Sequence, residues 1–280
     1  MFKRKHFFLS ISSILVIIFL IHSEYKSTFT LYQHEKFLED DKMITVTTYN
    51  MRYGRGLDNR VDLNRTIETL NSLNADIISL QEVERYSIRS QFIDQVTEIA
   101  NALDMNVVFN PSLSFPGLYY GNAILSKFPI NDTEIISFLT KRENRSALLS
   151  EIQVTSSQKI YVLNTHLGLN EDERLEAINV IRDQTETLDA PIILTGDLNA
   201  LPDKEEYQEW NHFLTKSNLG IPIQTYYSEN WQIDYIFHSC DFEVEEVTVL
   251  ESEASDHFPV SAVLHLQAQS ITDELVCHLN

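Results

Sequence analysis

The chain has 280 residues, 43% of them hydrophobic, with 21 Lys and Arg against 41 Asp and Glu, a formal net charge of −20. This is ample for one buried core, and the sign of the charge opposes a protein that lives on attraction to a phosphate backbone. A phosphate-bearing substrate is still allowed, because a bound cation can bridge two anions.

Residues 1–23 stand apart. Lys3, Arg4 and Lys5 precede an apolar run from Phe7 to Ile21, the pattern of a secretory leader or a short membrane anchor. A spanning helix wants about 20 apolar residues, and no small-residue cleavage site follows at His22, Ser23 and Glu24. The reading is an uncleaved anchor, with a cleaved signal as the alternative. The basic flank puts the N-terminus in the cytoplasm and the rest of the chain outside. Residues 24–42, polar with scattered aromatics, read as a stalk, and the domain proper as 43–267.

Residues 43–50 read as the first strand. Asp62 caps a helix whose Leu63, Ile67, Leu70 and Leu73 share one face. A strand over 76–82, a helix over 92–103 and a strand over 106–110 follow, and 113–120 reads as an apolar loop. Segments 121–126, 134–138, 147–154 and 158–166 are bounded by turn residues and read as antiparallel strands. A helix over 171–188 leads to a short apolar strand ending at Asp197, opened by Pro191 and closed by Gly196. A short acidic helix over 204–214 and strands over 232–237, 243–250 and 259–266 complete the domain, and 268–280 reads as a tail. Cys240 and Cys277 are too few for a disulfide framework and read as free or buried thiols, with a single bridge between them as the alternative.

Four strands end on polar residues: Asn50, Glu82, His166, and Asp197 with Asn199. A buried strand that delivers a carboxylate must aim it at something, because an unpaired charge is expensive to bury. Ligands of α/β sheets bind beyond strand ends. The strand–helix–strand interval from Asn50 to Glu82 is echoed from His166 to Asp197, which points to two similar layers whose strand ends meet. Asp234 lies in another apolar strand, with His257 as a candidate partner, and Asp256 precedes that histidine. Glu82 can hold a hard cation by one oxygen, and Mg²⁺ suits one or two carboxylates with waters. Zinc fits poorly, because no two His stand at helical spacing and the cysteines form no short pair.

The order of these motifs resembles the endonuclease/exonuclease/phosphatase superfamily of metal-dependent phosphoesterases. The resemblance rests on Thr48-Tyr49-Asn50-Met51-Arg52, Leu80-Gln81-Glu82-Val83, the run from Gly121-Asn122 to Ile130, Asn164-Thr165-His166-Leu167, Gly196-Asp197-Leu198-Asn199-Ala200, Ile233-Asp234-Tyr235-Ile236 and Ser255-Asp256-His257-Phe258-Pro259-Val260. It spans roughly residues 43–267. It implies a four-layer α/β sandwich with two central mixed β-sheets flanked by helices. It also implies Mg²⁺ or Mn²⁺ at Glu82, with Asn50 and Asp256 beside it. Asp197 and Asn199 would orient the attacking water and the phosphoryl oxygens. His166 would donate to the phosphate, and His257, held by Asp234, would act in acid/base or transition-state stabilisation. Whether Asp197 or His257 takes the water's proton stays open. Arg145 and Asn122 are candidate substrate contacts. The expected partner is a phosphodiester, either a lipid head group or another small diester, handled outside the membrane. The export leader and the acidity rank a nuclease second, and an inactive phosphate-binding module third.

Overall fold

Two mixed β-sheets stack face to face in the computed structural model, which describes residues 29–31, 37–38, 43–115, 118–138 and 144–267. The strands are β1 (Phe29–Leu31), β2 (Met43–Asn50), β3 (Ile77–Arg85), β4 (Asn106–Phe115), β5 (Leu118–Ser126), β6 (Ile130–Ser137), β7 (Ser146–Gln153), β8 (Lys159–His166), β9 (Ile192–Asp197), β10 (Thr215–Lys216), β11 (Asp234–His238), β12 (Phe242–Val249) and β13 (Val260–Leu266). The helices are α1 (Leu63–Leu73), α2 (Gln95–Leu103), α3 (Glu171–Thr185) and α4 (Glu205–Trp210). One sheet runs β1-β4-β5-β3-β2-β13-β12 and the other β10-β11-β9-β8-β7-β6. Only β2–β3 and β8–β9 are parallel. Each of these pairs is joined by one helix, α1 or α3, as a parallel crossover requires.

Alternation along the strands separates the layers. Ile44, Val46, Ile124, Leu148, Val162 and Ile193 point between the sheets and form the central core. On the outer face of the first sheet, Tyr49, Ile78 and Leu80 meet Leu70 of α1 with Val96 and Ile99 of α2. On the outer face of the second, Leu163 and Leu194 meet Ile178 and Ile181 of α3 with Trp210 of α4. The result is the expected four-layer sandwich. Asp62 caps α1 by accepting from the N–H groups of Asn64 and Arg65.

Toward the strand ends the space between the sheets becomes polar. Asn164 Nδ2 donates to the carbonyls of Leu80 (2.9 Å) and Ala123 (2.8 Å), and Gln81 Nε2 donates to Asn164 Oδ1 (2.7 Å). Thr195 Oγ1 donates to Ser79 Oγ at 2.6 Å. Asn164 reaches the first sheet where its ladder breaks, at the register shift between Leu80 and Val83. Gly196 is needed for close approach here. Its φ is +150°, and a Cβ would lie 1.9 Å from the carbonyl oxygen of Thr165. Gly196→Ala is therefore expected to destabilise the protein by about 3 kcal/mol or more, read as a lowered urea midpoint.

Several expectations need correction. Residues 113–115 and 118–120 are paired strand and not a loop, with Leu113 opposite Tyr120 and Phe115 opposite Leu118. The helix expected from 92 starts at Gln95, because the Asp94 side chain caps it by accepting from Thr97 N–H. Within the expected stalk, Phe29–Leu31 adds an edge strand antiparallel to β4, and Leu38 N–H bonds to the Val154 carbonyl. Of the expected antiparallel run, β6, β7 and β8 pair antiparallel as read, but β5 lies in the other sheet. Cys240 is disulfide-bonded and not free. Residues 1–23, Cys277 and the expected tail over 268–280 lie outside the described residues. Among the described residues, no helix is long and apolar enough to cross a membrane.

Candidate active site

Asn50 ends β2, His166 ends β8 and Asp197 ends β9, and the register sets Asn50 beside Gln81 and His166 beside Asp197. Glu82 follows Gln81 inside the register shift, with φ +58°. A left-handed glutamate in a strand is a strained position, held by its surroundings. It turns the carboxylate out of the ladder toward Asn50. Asn50 Nδ2 then donates both to Glu82 Oε1 (3.1 Å) and to Asp197 Oδ2 (3.0 Å). One amide thus joins the acids of the two sheets. Asn199, also left-handed at φ +50°, donates its backbone N–H to Asp197 Oδ1 (3.0 Å) and its side chain to the Leu167 carbonyl (2.9 Å).

On the other side of Asp197, His257 Nδ1 lies 2.9 Å from Asp234 Oδ2, and its Nε2 lies 3.8 Å from Asp197 Oδ2. Asp234 is fully buried, and Thr225 Oγ1 accepts from its N–H at 3.1 Å. His166 Nε2 lies 3.4 Å from Asp197 Oδ2. Asp197 is the common neighbour of Asn50, His166 and His257.

Burial and charge push these groups in opposite directions. Burial raises the Asp197 carboxyl, the neighbouring Asp234 carboxylate raises it further, and His257 and Asn50 offset part of this, leaving it at about 7. Burial alone would lower His257, but the carboxylates of Asp234 and Asp197 reverse that and raise it to about 10. His166 is held well below an ordinary histidine by burial, then by the charges of Arg145 and His257. Near neutral pH one imidazole is charged and its neighbour is neutral, a separation that allows distinct proton roles.

The remaining expected residues are close but differently engaged. Arg52 Nη1 holds Asp256 Oδ2 at 3.1 Å. The turn that Asp256 belongs to is tied to the end of β2, because Ser255 Oγ donates to the Asn50 carbonyl at 2.8 Å. Arg145 is half-buried and close enough to His166 to depress it. Asn122 is buried on β5, opposite the register shift that contains Glu82. Sequence reasoning missed Arg52 as the partner of Asp256; Tyr226, which the sequence offers with Tyr227 and Trp231 as lining for a head-group pocket, packs edge-on with the His257 ring, centroids 5.1 Å apart.

Two donor groups could hold a metal. Asp197, Asp234 and His257 offer ligand atoms within 4.8 Å of one another. In that trio, however, the imidazole already faces Asp234 through Nδ1. Glu82 and Asp197 present carboxylate oxygens from two sheets on either side of the Asn50 amide, the chemistry of a hard divalent cation. The amide between their carboxylates marks where positive charge is favoured.

A fold of this kind, with acids, amides and histidines converging at the strand ends, defines a phosphoesterase of the two-sheet α/β sandwich class. The profile of the endonuclease/exonuclease/phosphatase family matches residues 47–257, and the chain belongs to that family. Its members hydrolyse phosphoester bonds and are in general divalent-metal dependent. An uncharacterised protein of Escherichia coli K12, YbhP, is 24% identical over 244 residues, covering 79% of this chain and 96% of its own. Among solved structures, an endonuclease/exonuclease/phosphatase from Beutenbergia cavernae has 19% identity and a TM-score of 0.70, covering 82% of this chain and 73% of that one. A mannosyl-6-phosphatase from Bacteroides thetaiotaomicron has 21% identity and a TM-score of 0.64, covering 79% and 99%. At these identities the structural likeness establishes the fold.

Proposed function

We propose that the protein hydrolyses a small or lipid-linked phosphodiester, with Mg²⁺ or Mn²⁺ as cofactor, outside a membrane to which its N-terminal segment tethers it. The observation that carries this reading is the line Asp234–His257–Asp197, continuous through Asn50 with Glu82. It sets proton-handling groups beside a cation-binding pair, as water attack on a phosphoester requires. Glu82 would hold a divalent cation, with Asn50 and Asp256 beside it, and the cation would supply charge neutralisation at the phosphoryl oxygens. Asp197 and Asn199 orient the water. The neutral imidazole of His166 donates to a phosphoryl oxygen, and the charged His257 stabilises negative charge as it develops. Arg145 and Asn122 contact the substrate from the opposite strands. The acidic surface favours a small diester over a polyanion, and a protein of the same fold acts as a mannosyl-6-phosphatase.

The test is an activity panel in Mg²⁺ with bis(4-nitrophenyl) phosphate, lipid head-group diesters and plasmid DNA. EDTA is expected to abolish turnover and Mg²⁺ or Mn²⁺ to restore it. Glu82→Gln is expected to raise the metal concentration needed for half-maximal rate by about tenfold or more while leaving the thermal midpoint nearly unchanged. Turnover undiminished by chelator would overturn the metal assignment. Efficient plasmid nicking without cleavage of small or lipid diesters would instead favour an extracellular nuclease.

A further inference from the structure

Beyond Asn199 the chain turns through Leu201, Pro202 and Asp203, which face Ile223, Trp231 and Gln232 across a cavity of about 320 Å³. That is the size of a small-ligand site. It adjoins the phosphoester site on three counts. Leu201 follows the Asp197–Asn199 turn, and Gln232 lies two residues before Asp234. The indole of Trp231 stacks on Tyr226 (5.9 Å, 18°), whose edge in turn meets His257.

The aromatic platform is fixed by backbone bonds. The N–H groups of Thr225 (2.8 Å) and Tyr226 (3.3 Å) both donate to the Trp231 carbonyl. Gln224 Nε2 donates to the Tyr226 carbonyl at 2.9 Å. Tyr227 N–H bonds to the Asp256 carbonyl and Phe258 N–H to the Thr225 carbonyl, each at 2.8 Å. Trp231 is nevertheless 43% exposed, whereas Trp210 is fully buried. A rigid indole held open beside a reaction centre is a surface ready for a ligand.

Its chemistry narrows the occupant. Tyr226 covers one indole face, so a single flat face remains. A quaternary ammonium group is best held by several aromatic faces converging as a cage, whereas one face suits the C–H side of a saturated ring. Around the indole stand a carboxylate acceptor, Asp203, and two amides, Asn230 and Gln232, and among the described residues no basic side chain lines the space. A second anion would find no partner there. Asn218 Nδ2 donates to Gln232 Oε1 at 3.2 Å, which leaves the N–H groups of Gln232 as the end available to a ligand. Acceptors and donors arrayed around one aromatic face match the hydroxyls of a sugar. We propose that this cavity is the subsite for the alcohol portion of the phosphoester and that it takes an uncharged hexose ring. The proposal rests on the phosphoesterase reading and specifies its substrate.

Two measurements test it on the full chain. The first needs no turnover: methyl mannoside is titrated in while tryptophan emission is followed. A saturable change is expected, carried by Trp231 and lost in Trp231→Ala, while the buried Trp210 stays silent. The second compares 4-nitrophenyl diesters of mannose 6-phosphate, thymidine 5′-phosphate and phosphocholine, which share a leaving group. The hexose diester is expected to lead in kcat/KM by about tenfold, and Trp231→Ala to raise its KM by a similar factor with little change in kcat. Asp203→Asn should weaken the same preference. Preference for the nucleoside or choline diester, or no emission change with a preference unaltered in Trp231→Ala, would overturn the proposal. An emission change with no diester cleaved would uphold the subsite and overturn the phosphoesterase reading. Cleavage without any emission change would do the reverse.

Discussion

Replacing Asp234 with Asn is expected to cut turnover by on the order of 10²–10⁴-fold, the range of a positioned acid/base group, while the fold survives. The shape of the side chain is retained, and Thr225 still accepts from the backbone N–H of residue 234. What changes is the charge facing His257 Nδ1 at 2.9 Å. Burial lowers the imidazole, and the Asp234 carboxylate does most to raise it, toward about 10. Without that charge, burial pulls the pKa down. The alkaline limb of the pH–rate profile, where the imidazolium is lost, should therefore move to lower pH. Stability follows the same sign. A histidine raised in the folded state adds stability below its ordinary value of 6.5, and that gain is lost as pH climbs toward about 10. Asp234→Asn should flatten this part of the stability curve. His257→Ala and Asp234→Asn should be strongly non-additive, because each disables the same unit. Full additivity with an unmoved alkaline limb would show that the two residues work separately.

Asn164→Ala is expected to cost about 3–5 kcal/mol in urea unfolding, and turnover should fall more than that loss of folded protein accounts for. The side chain is fully buried between the sheets and makes three bonds there. Its removal leaves two carbonyls and the Gln81 amide without this partner, and each buried orphan costs about 1–3 kcal/mol. The carbonyls of Leu80 and Ala123 flank the register shift that turns Glu82 out of its ladder. Losing the clamp lets the shift relax, so the metal requirement should rise along with the loss of stability. Asn164→Asp preserves shape but faces two carbonyl oxygens with an acceptor, and should be at least as damaging. A cost below about 1 kcal/mol with an unchanged metal requirement would mean that the clamp does not hold the bulge.

The strand ends were legible because a strand that only packs has no use for Asp, Asn or His at the close of a short apolar run. The cap at Asp62 and the paired strand–helix–strand intervals could be read because local spacing states them. The far end of the β4–β5 pairing was not legible. Pro111 and the shift between Pro111 and Leu113 disturb its alternation, and its aromatics then resemble a loop. Nor could a three-residue edge strand at Phe29–Leu31 stand out from a polar segment. The contact between Arg52 and Asp256 joins residues distant in sequence, as does the clamp at Asn164. No local pattern states such a pairing, and only the assembled sheets bring the partners together.

The sheet orders carry a consequence for how the reaction centre is divided. Setting β1 aside, one sheet runs β12-β13-β2-β3-β5-β4 and the other β6-β7-β8-β9-β11-β10, the same sequence of hairpin, parallel pair and hairpin. The second set is continuous along the chain, whereas the first is interrupted, with β12 and β13 arriving last. The molecule is thus a tandem repeat circularly permuted through one copy, and opening it between β5 and β6 with the old ends linked should restore two unbroken copies that still fold. Under this pseudo-dyad Asn50 answers to His166, the Gln81–Glu82 pair to Asp197, Asn122 to Asp234 and Arg145 to His257. The Asp234–His257 pair and the Asn50–Asp197 contact each join one copy to the other, so the site exists only where the two copies meet.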